Sequence, residues 1–401
     1  MRILKIVPEA FYTARGTPLS AYHRARELVA RGHEVDILTY GVGEEPPSEL
    51  RARVFRARGP HFTGSIRPGP SWLKIWFDWL LFASLIARLC VRRYDLLYAH
   101  EEGALLAKVA GAIFRIPYVY DMHSSLPLQI TDWKFSRRRS VINAFGWVEK
   151  QSVRGACAVV AISPAVEHAA KRAYPGARCV VIVNNFEVGS SATAQDIAAV
   201  RARYAIGPDR KLVLYTGSFV TLQALDLLIA AIPKVVASVP EAMFLLVGGG
   251  DAEIAELRGQ AEKLGVAQHV LLERMQPQSC MPAYLGAADV LVSPRIQGIN
   301  PPGKLLPYLA SGRPVVATNT LVHNQILNER SAFLTTPDAA GIAAGLIAAL
   351  TDSERVAGIL QGAEQLIAHY CSQSARDAAY DDVLAAARNA SPHKRLQTRQ
   401  A

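Results

Sequence analysis

Short apolar runs rich in Val, Ile, Leu and Tyr recur along the chain, and between them lie longer stretches in which apolar residues return every three or four positions. The first rhythm is that of buried strands and the second that of helices. In the first half the predicted strands are Ile3–Val7, Glu34–Thr39, Arg53–Arg56, Leu96–Ala99, Tyr118–Asp121, Ala158–Ile162 and Val180–Val183. Helices are predicted over Leu19–Arg31, Trp72–Val91, Ala104–Phe114, Val141–Arg154 and Pro164–Ala173. In the second half the predicted strands are Leu212–Thr216, Phe244–Val247, Val270–Leu272, Val290–Ser293, Val315–Thr318 and Ala332–Leu334, nearly all followed by a helical stretch. Parallel strands need crossover connections and helices supply them, so the pattern predicts two doubly wound α/β sheets. The small, polar stretch EVGSSATAQ, residues 187–195, reads as the linker, and the tail from Ser391 lacks core-forming residues and reads as disordered.

One segment, WLKIWFDWLLFASLIARLCV over Trp72–Val91, has the length to cross a bilayer. At about 100° per residue, however, Lys74, Asp78, Ser84, Arg88 and Arg92 fall within one arc of roughly 120°, leaving a wide apolar face. Crossing would place three charged side chains at hydrocarbon depth. The helix is therefore expected to lie on a core, or partly in a membrane interface.

A chain of 401 residues, half of them hydrophobic and 19% charged, has material for two cores and excludes disordered, collagen-like and coiled-coil classes. Cys90, Cys157, Cys179, Cys280 and Cys371 are odd in number and widely spaced, which fits a reducing compartment and argues against a disulfide framework or zinc cluster. The apolar run at residues 3–7 is too short for a secretory signal, so a cytoplasmic protein is expected. Net charge divides unevenly, +11 over residues 1–184 and −1 over residues 185–401. Basic groups gather at Arg51, Arg53, Arg56 and Arg58, at Arg92 and Arg93, and at Arg137 to Arg139, without the aromatic spacing of an RNA-binding sheet. An anionic membrane surface, met from the inner face, or an acidic acceptor is the expected partner, and nucleic acid is not.

Ligands of doubly wound sheets bind at the carboxyl ends of strands. There Gly16 and Thr17 precede the first helix, and the strand IPYVYDMHSS delivers His123, with His100 in a similar place at the end of LLYAH. The densest signal is DVLVSPRIQGINPPGKLLPYLASGRPVVATN, where Arg295, Gly298, Asn300 and Lys304 sit in a Gly/Pro-rich loop opening a helix that runs to about Ser311. Two cations near a helix start suit a diphosphate. Gly217 and Ser218 follow another strand on the same rim, while Gly248, Gly249 and Gly250 read as a generic turn. Neither loop is a P-loop or a dinucleotide fingerprint, the missing fingerprint and ribose acid after the first strand argue against an oxidoreductase, and no Asp-x-Asp or clustered ligand set marks a metal site.

From Ile3 to about Ala387 the chain resembles retaining glycosyltransferases of the GT-B fold, family 4. The resemblance rests on the opening glycine, His33-x-Val35, the strand ending in His123, Ala-Ile-Ser-Pro at 161–164, Asn184-Asn185 and YLASGRPVVAT at 308–318, all in order. It implies two Rossmann-like domains facing each other across a cleft: an acceptor-binding domain over 1–186, a nucleotide-sugar-binding domain over 187–374 and a helix over 375–390 returning to the first. It also implies sugar transfer from a nucleoside diphosphate sugar, a UDP-sugar being expected, to a glycan, lipid-linked or small-molecule acceptor in cell-envelope polysaccharide synthesis. No cofactor or metal is required. His123, Arg295 and Lys304 would act in catalysis, and Gly16, Thr17, Gly217, Ser218, Gln223, Met275, Gly298 and Asn300 would bind the donor. The family's Arg and Lys in the stretch after the strand ending at Thr216 are here Ser218 and Gln223, and its two carboxylates are Ile299 and Pro307. Without a carboxylate nucleophile, front-side attack is the expected route. The alternative is a non-catalytic relative that has lost the ribose-binding acid.

Overall fold

The computed structural model describes residues 1–12, 16–59, 72–132, 138–183, 192–298 and 301–390. The chain divides into two compact units, Met1–Asn184 with Gln373–Ala401, and Asn185–Ser372. In unit 1 the strands are β1 Arg2–Val7, β2 Glu34–Thr39, β3 Arg53–Arg56, β4 Leu96–His100, β5 Tyr118–Met122, β6 Ala158–Ala161 and β7 Cys179–Val181. Its helices are α1 Gly16–Ala30, α2 Trp72–Val91, α3 Gly103–Phe114, α4 Leu126–Asp132, α5 Arg139–Gly155 and α6 Pro164–Ala173. The strands form one parallel sheet in the order β3-β2-β1-β4-β5-β6-β7.

Unit 2 has strands β8 Lys211–Thr216, β9 Ala242–Gly249, β10 Val270–Arg274, β11 Val290–Ser293, β12 Val315–Thr318 and β13 Phe333–Thr335. They too are parallel, in the order β10-β9-β8-β11-β12-β13. Its helices are α7 Ala194–Arg203, α8 Leu225–Ser238, α9 Asp251–Lys263, α10 Met281–Ala287, α11 Leu305–Ala310, α12 Leu321–Asn324, α13 Ala339–Thr351 and α14 Ser353–Cys371, after which α15 Gln373–Ala390 belongs to unit 1. Each sheet is buried on both faces, which is why its strands read as unbroken apolar runs. Strand order reverses between β1 and β4 and between β8 and β11, so each unit has one switch point where ligands of such sheets bind.

Local chemistry places the ends. Ser163 caps α6 through the Val166 amide, with Pro164 at its first position, and Thr193 and Asp196 form a reciprocal capping box at α7. That box corrects the predicted linker: Ala194 and Gln195 are already helical, while residues 187–191 lie outside the described residues. Helix α1 likewise starts at Gly16, so Gly16 and Thr17 form its first turn and do not precede it. The predicted tail lies outside the described residues. All five cysteines are free thiols.

Helix α2 has the predicted ends but three faces. Phe77, Leu81, Leu85 and Leu89 enter the core of unit 1 at a four-residue spacing. The polar arc is turned to the protein as well: Lys74 pairs with Glu102, Asp78 accepts from Tyr40, and Arg88 pairs with Asp36 at 2.9 Å. What faces solvent is apolar, with Leu73, Ile75, Trp76 and Trp79 between 40% and 66% exposed. The helix thus lies on a core, one of the two expected placements, but leaves an apolar face to solvent. Among the described residues one stretch, Thr221–Ser238, is long and apolar enough to cross a membrane, and Leu225, Leu228, Ile229, Ile232 and Val235 within it are buried in unit 2.

Candidate active site

In unit 2 the loops after β8 and β11 meet at the switch point. Lys304, at the N-cap of α11, donates from Nζ to the Thr216 carbonyl at 2.9 Å and stands 3.6 Å from the Tyr215 ring centre. Burial, and then the nearby Arg295 charge, hold its pKa well below the ordinary lysine value. Tyr308, from α11, accepts the Thr216 amide at 2.7 Å and so ties the end of β8 to the helix carrying Lys304. Gly217 has φ +129° and Gly248 φ +127°, and a Cβ on Gly248 would stand 2.2 Å from the Gly217 carbonyl oxygen. The glycine run after β9 is thus required by the close passage of the loop after β8.

Arg295 folds back along its own loop, Nε donating to the Gln297 carbonyl at 2.7 Å, and a Cβ on Gly298 would meet its guanidinium at 2.0 Å. Beneath it, His323 bonds the Ser293 hydroxyl at 2.9 Å and the Thr318 carbonyl at 2.8 Å, joining the ends of β11 and β12. Burial, with Lys304 and Arg295 adding to it, drives the His323 pKa down to about 4, so this ring is neutral. Gly217, Ser218, Arg295, Gly298 and Lys304 therefore gather at one rim. Gln223 is buried in the turn beside it, with Oε1 lacking a partner. Met275 follows the edge strand β10 and is 57% exposed. Asn300 and Ile299 lie outside the described residues. Helix α11 ends beside Ser311, as predicted, and is only six residues long, so its dipole adds less to the two cations than a longer helix would.

In unit 1, His123 follows β5 and lies over an ion-pair hub that the sequence did not announce. Asp121, fully buried, meets Lys5 Nζ and His100 Nδ1 at 3.2 Å through Oδ2, and His123 Nε2 at 3.3 Å and Arg24 Nε at 3.5 Å through Oδ1. Burial opposes the charged carboxylate, but Lys5, His123 and His100 outweigh it and hold Asp121 well below its ordinary pKa. Burial keeps both imidazoles neutral, lowering His123 and taking His100 to about 3. His100, Asp121 and His123 also offer three ligand atoms within 4.8 Å of one another, a metal-like grouping absent from the predicted picture. Lys5 and Arg24 already stand against the two carboxylate oxygens, and a divalent ion would add to their charge, so the trio fits an ion-pair hub better than a metal centre. Lys5 gives no warning in the sequence because it is a single lysine between Leu4 and Ile6 in the strand RILKIV.

Beside the hub, the crevice between β1 and β4 is acidic. Glu101, at φ +47°, is buried with one carboxyl oxygen on Ser124 at 3.0 Å and the other unpaired; burial, then Glu102, push its pKa well up. Asp78 is pushed up to about 7 by burial and Glu102. The basic excess of unit 1 is meanwhile largely paired: Arg53 bonds Asp36 and Glu34, Arg92 pairs with Glu34, and Arg56 bonds three backbone carbonyls.

A model of glycosyltransferase family 4 matches residues 14–186, and one of the glycosyl transferases group 1 matches residues 210–352. The phosphatidyl-myo-inositol mannosyltransferase of Mycolicibacterium smegmatis is 25% identical over 377 residues, 92% of this chain and 90% of that protein. An uncharacterized glycosyltransferase of Methanocaldococcus jannaschii is 24% identical over 74% of each chain. Among solved structures, Anabaena HepE in complex with UDP aligns with a TM-score of 0.74 at 19% identity, over 96% of this chain and all of that one. WaaG, a glycosyltransferase involved in lipopolysaccharide biosynthesis, aligns at 0.68 and 16% identity over 95% of this chain and 98% of that one. With matching family models on both units and the two parallel sheets of the GT-B fold, the chain belongs to the family-4 glycosyltransferases.

Proposed function

We propose that this protein transfers a hexose, with retention, from a nucleoside diphosphate sugar to an acceptor carried at a membrane surface. The observation that carries the reading is the convergence of Lys304, Arg295 and the Gly217 backbone at the β8/β11 switch point. As the glycosidic bond breaks, charge gathers on the leaving diphosphate, and fixed cations lower that barrier more than they stabilise the ground state. Lys304 and Arg295 take the part that a divalent ion plays in other transferases. Arg295 spends Nε on the Gln297 carbonyl, and its guanidinium would meet a phosphate through stronger charge-assisted bonds. His123, with Nε2 directed to Asp121, orients the donor sugar or the attacking hydroxyl. Neutral at working pH, it serves through hydrogen bonding. Front-side attack is the assigned route, since Pro307 supplies no carboxylate nucleophile.

On the acceptor side, the Glu101 and Asp78 carboxyls, both pushed up by burial, would suit the uncharged, hydroxyl-bearing part of an acceptor. The membrane reading rests on the outward face of α2, together with Val109 and Ile113 on α3 and Trp147 on α5, all exposed. These helices pack in sequence, α2 on α3 and α3 on α5. Exposed Arg93, Arg115, Arg138, Arg139, Lys150 and Arg154 supply basic charge on or beside the same helices. We assign the cytoplasmic face of the membrane, in keeping with five free thiols.

The donor is expected to be a UDP-sugar. GDP-mannose is the second reading, favoured by relatives named as mannosyltransferases, one of them GDP-mannose-dependent and 37% identical over 126 residues. Thermal shift with UDP, GDP, UDP-glucose and GDP-mannose, followed by transfer assays and NMR of the product anomer, tests the proposal. Stabilisation by none of the four at millimolar concentration leaves the non-catalytic reading standing.

A further inference from the structure

We propose that Tyr380, on the C-terminal helix α15, is a positioning residue for His123, acting through Arg24 and Asp121. The inference rests on the reading of His123 as a substrate-facing group.

Asp121 Oδ2 is held by Lys5 and His100, but Oδ1 is shared: His123 Nε2 approaches it at 3.3 Å and Arg24 Nε at 3.5 Å. Where the Arg24 guanidinium stands therefore decides whether Oδ1 is left to the imidazole. That guanidinium is anchored away from Asp121 at its outer edge. Nη1 bonds the Tyr380 hydroxyl at 3.2 Å, and Nη2 bonds the Ile182 carbonyl at 2.5 Å. Tyr380 is buried, and Arg31 covers its ring 4.7 Å from the centre. Arg31 also pairs with Asp377, one helical turn earlier on α15. Without the hydroxyl, Arg24 keeps one anchor and is drawn to the nearest anionic oxygen, Oδ1, because a planar guanidinium pairs best with both carboxylate oxygens. His123 then loses the acceptor that selects its Nε2–H tautomer. In a ring held neutral by burial, tautomer and orientation are what a neighbour can set.

Full-length protein labelled with 15N-histidine, with the His123 signal identified from the spectrum of His123→Gln, reports the tautomer directly. Wild type is expected as the Nε2–H form. Tyr380→Phe should move the two His123 nitrogens towards each other, as Asp121→Asn should more completely. Asp377→Ala, which removes a tether of α15 without touching the hub, should leave them at the wild-type positions. In transfer assays Tyr380→Phe should lower kcat about tenfold with donor KM unchanged, the pattern of a misplaced group acting in the transition state. Unchanged His123 signals in Tyr380→Phe, or an equal movement in Asp377→Ala, overturn the proposal. Absence of transfer by the wild type with every donor counts against the proposed function, while the nitrogen shifts still decide the role of Tyr380.

Discussion

Replacing Trp76 and Trp79 together by Ser should detach the protein from lipid vesicles with little effect on folding. The two side chains are 53% and 66% exposed. A tryptophan buries at most about 250 Å², so the pair offers on the order of 300 Å² of surface to a membrane. At about 25 cal/mol per Å² that corresponds to an upper bound of roughly 7 kcal/mol. An interfacial helix inserts only part of its apolar face, and half of that bound, about 3.5 kcal/mol, means a loss of roughly 400-fold in partition. Salt should matter less than the tryptophans, because Arg53, Arg56, Arg88 and Arg92 are spent on Asp36, Glu34 and backbone carbonyls. The remaining exposed basic residues should still give anionic vesicles an advantage over neutral ones, screened as ionic strength rises. Vesicle sedimentation over a salt series, with the tryptophan emission blue-shift read in parallel, measures both effects. Equal sedimentation of wild type and double variant, or a face used for dimerisation as seen by light scattering, would refute the assignment of α2 to the bilayer.

Further outcomes follow from the site. Lys304→Ala and Arg295→Ala should each weaken nucleoside diphosphate binding by about 1.5 to 3 kcal/mol, the scale of a charge-assisted hydrogen bond; calorimetry with unchanged affinity in both would remove them from the site. Because Lys304 has a depressed pKa in the free protein and a bound anion raises it, binding should take up protons at pH values around and above the depressed pKa, and affinity should fall as pH rises through that range. Calorimetry in buffers of different ionisation enthalpy reads the uptake, and proton release would contradict it. By the same linkage the empty fold binds fewer protons than the unfolded chain, so this group's contribution to stability rises with pH towards the ordinary lysine value of 10.5. Pro307→Glu, in the first turn of α11 where a proline costs the helix no hydrogen bond, should tighten a ribonucleotide over its 2′-deoxy form; equal gains for both would mean that the new carboxylate misses the ribose. Ala224→Gly should stabilise unit 2 by about 0.5 to 1 kcal/mol, since Ala224 sits at φ +52°, and a lowered melting temperature would show that its buried methyl matters more.

The two parallel sheets, nearly every crossover helix and the rim bearing Gly217, Arg295 and Lys304 were legible in the sequence. Doubly buried strands leave unbroken apolar runs, and glycines with cations after a strand are local patterns. The ends of α2 were legible for the same reason; its orientation was not. A helix apolar on two of its three faces has a pattern that does not say which face meets the core, and the choice fell to Tyr40, Asp36 and Glu102, which draw the polar arc inward. The start of α1 at Gly16 and the capping of α7 inside the predicted linker were shifted by a few residues, as helix ends are when loop polarity is the only cue. The hub was illegible altogether. Lys5 and Asp121 are 116 residues apart, and Arg24 and Tyr380 are 356 apart. Each looks ordinary in its own segment. Only the pairing of β1, β4 and β5 in one sheet, with α15 laid against β5 to β7, removes water from these groups together. Opposite charges and hydrogen-bonding partners then become obligatory, because a buried charge without them is too costly to keep.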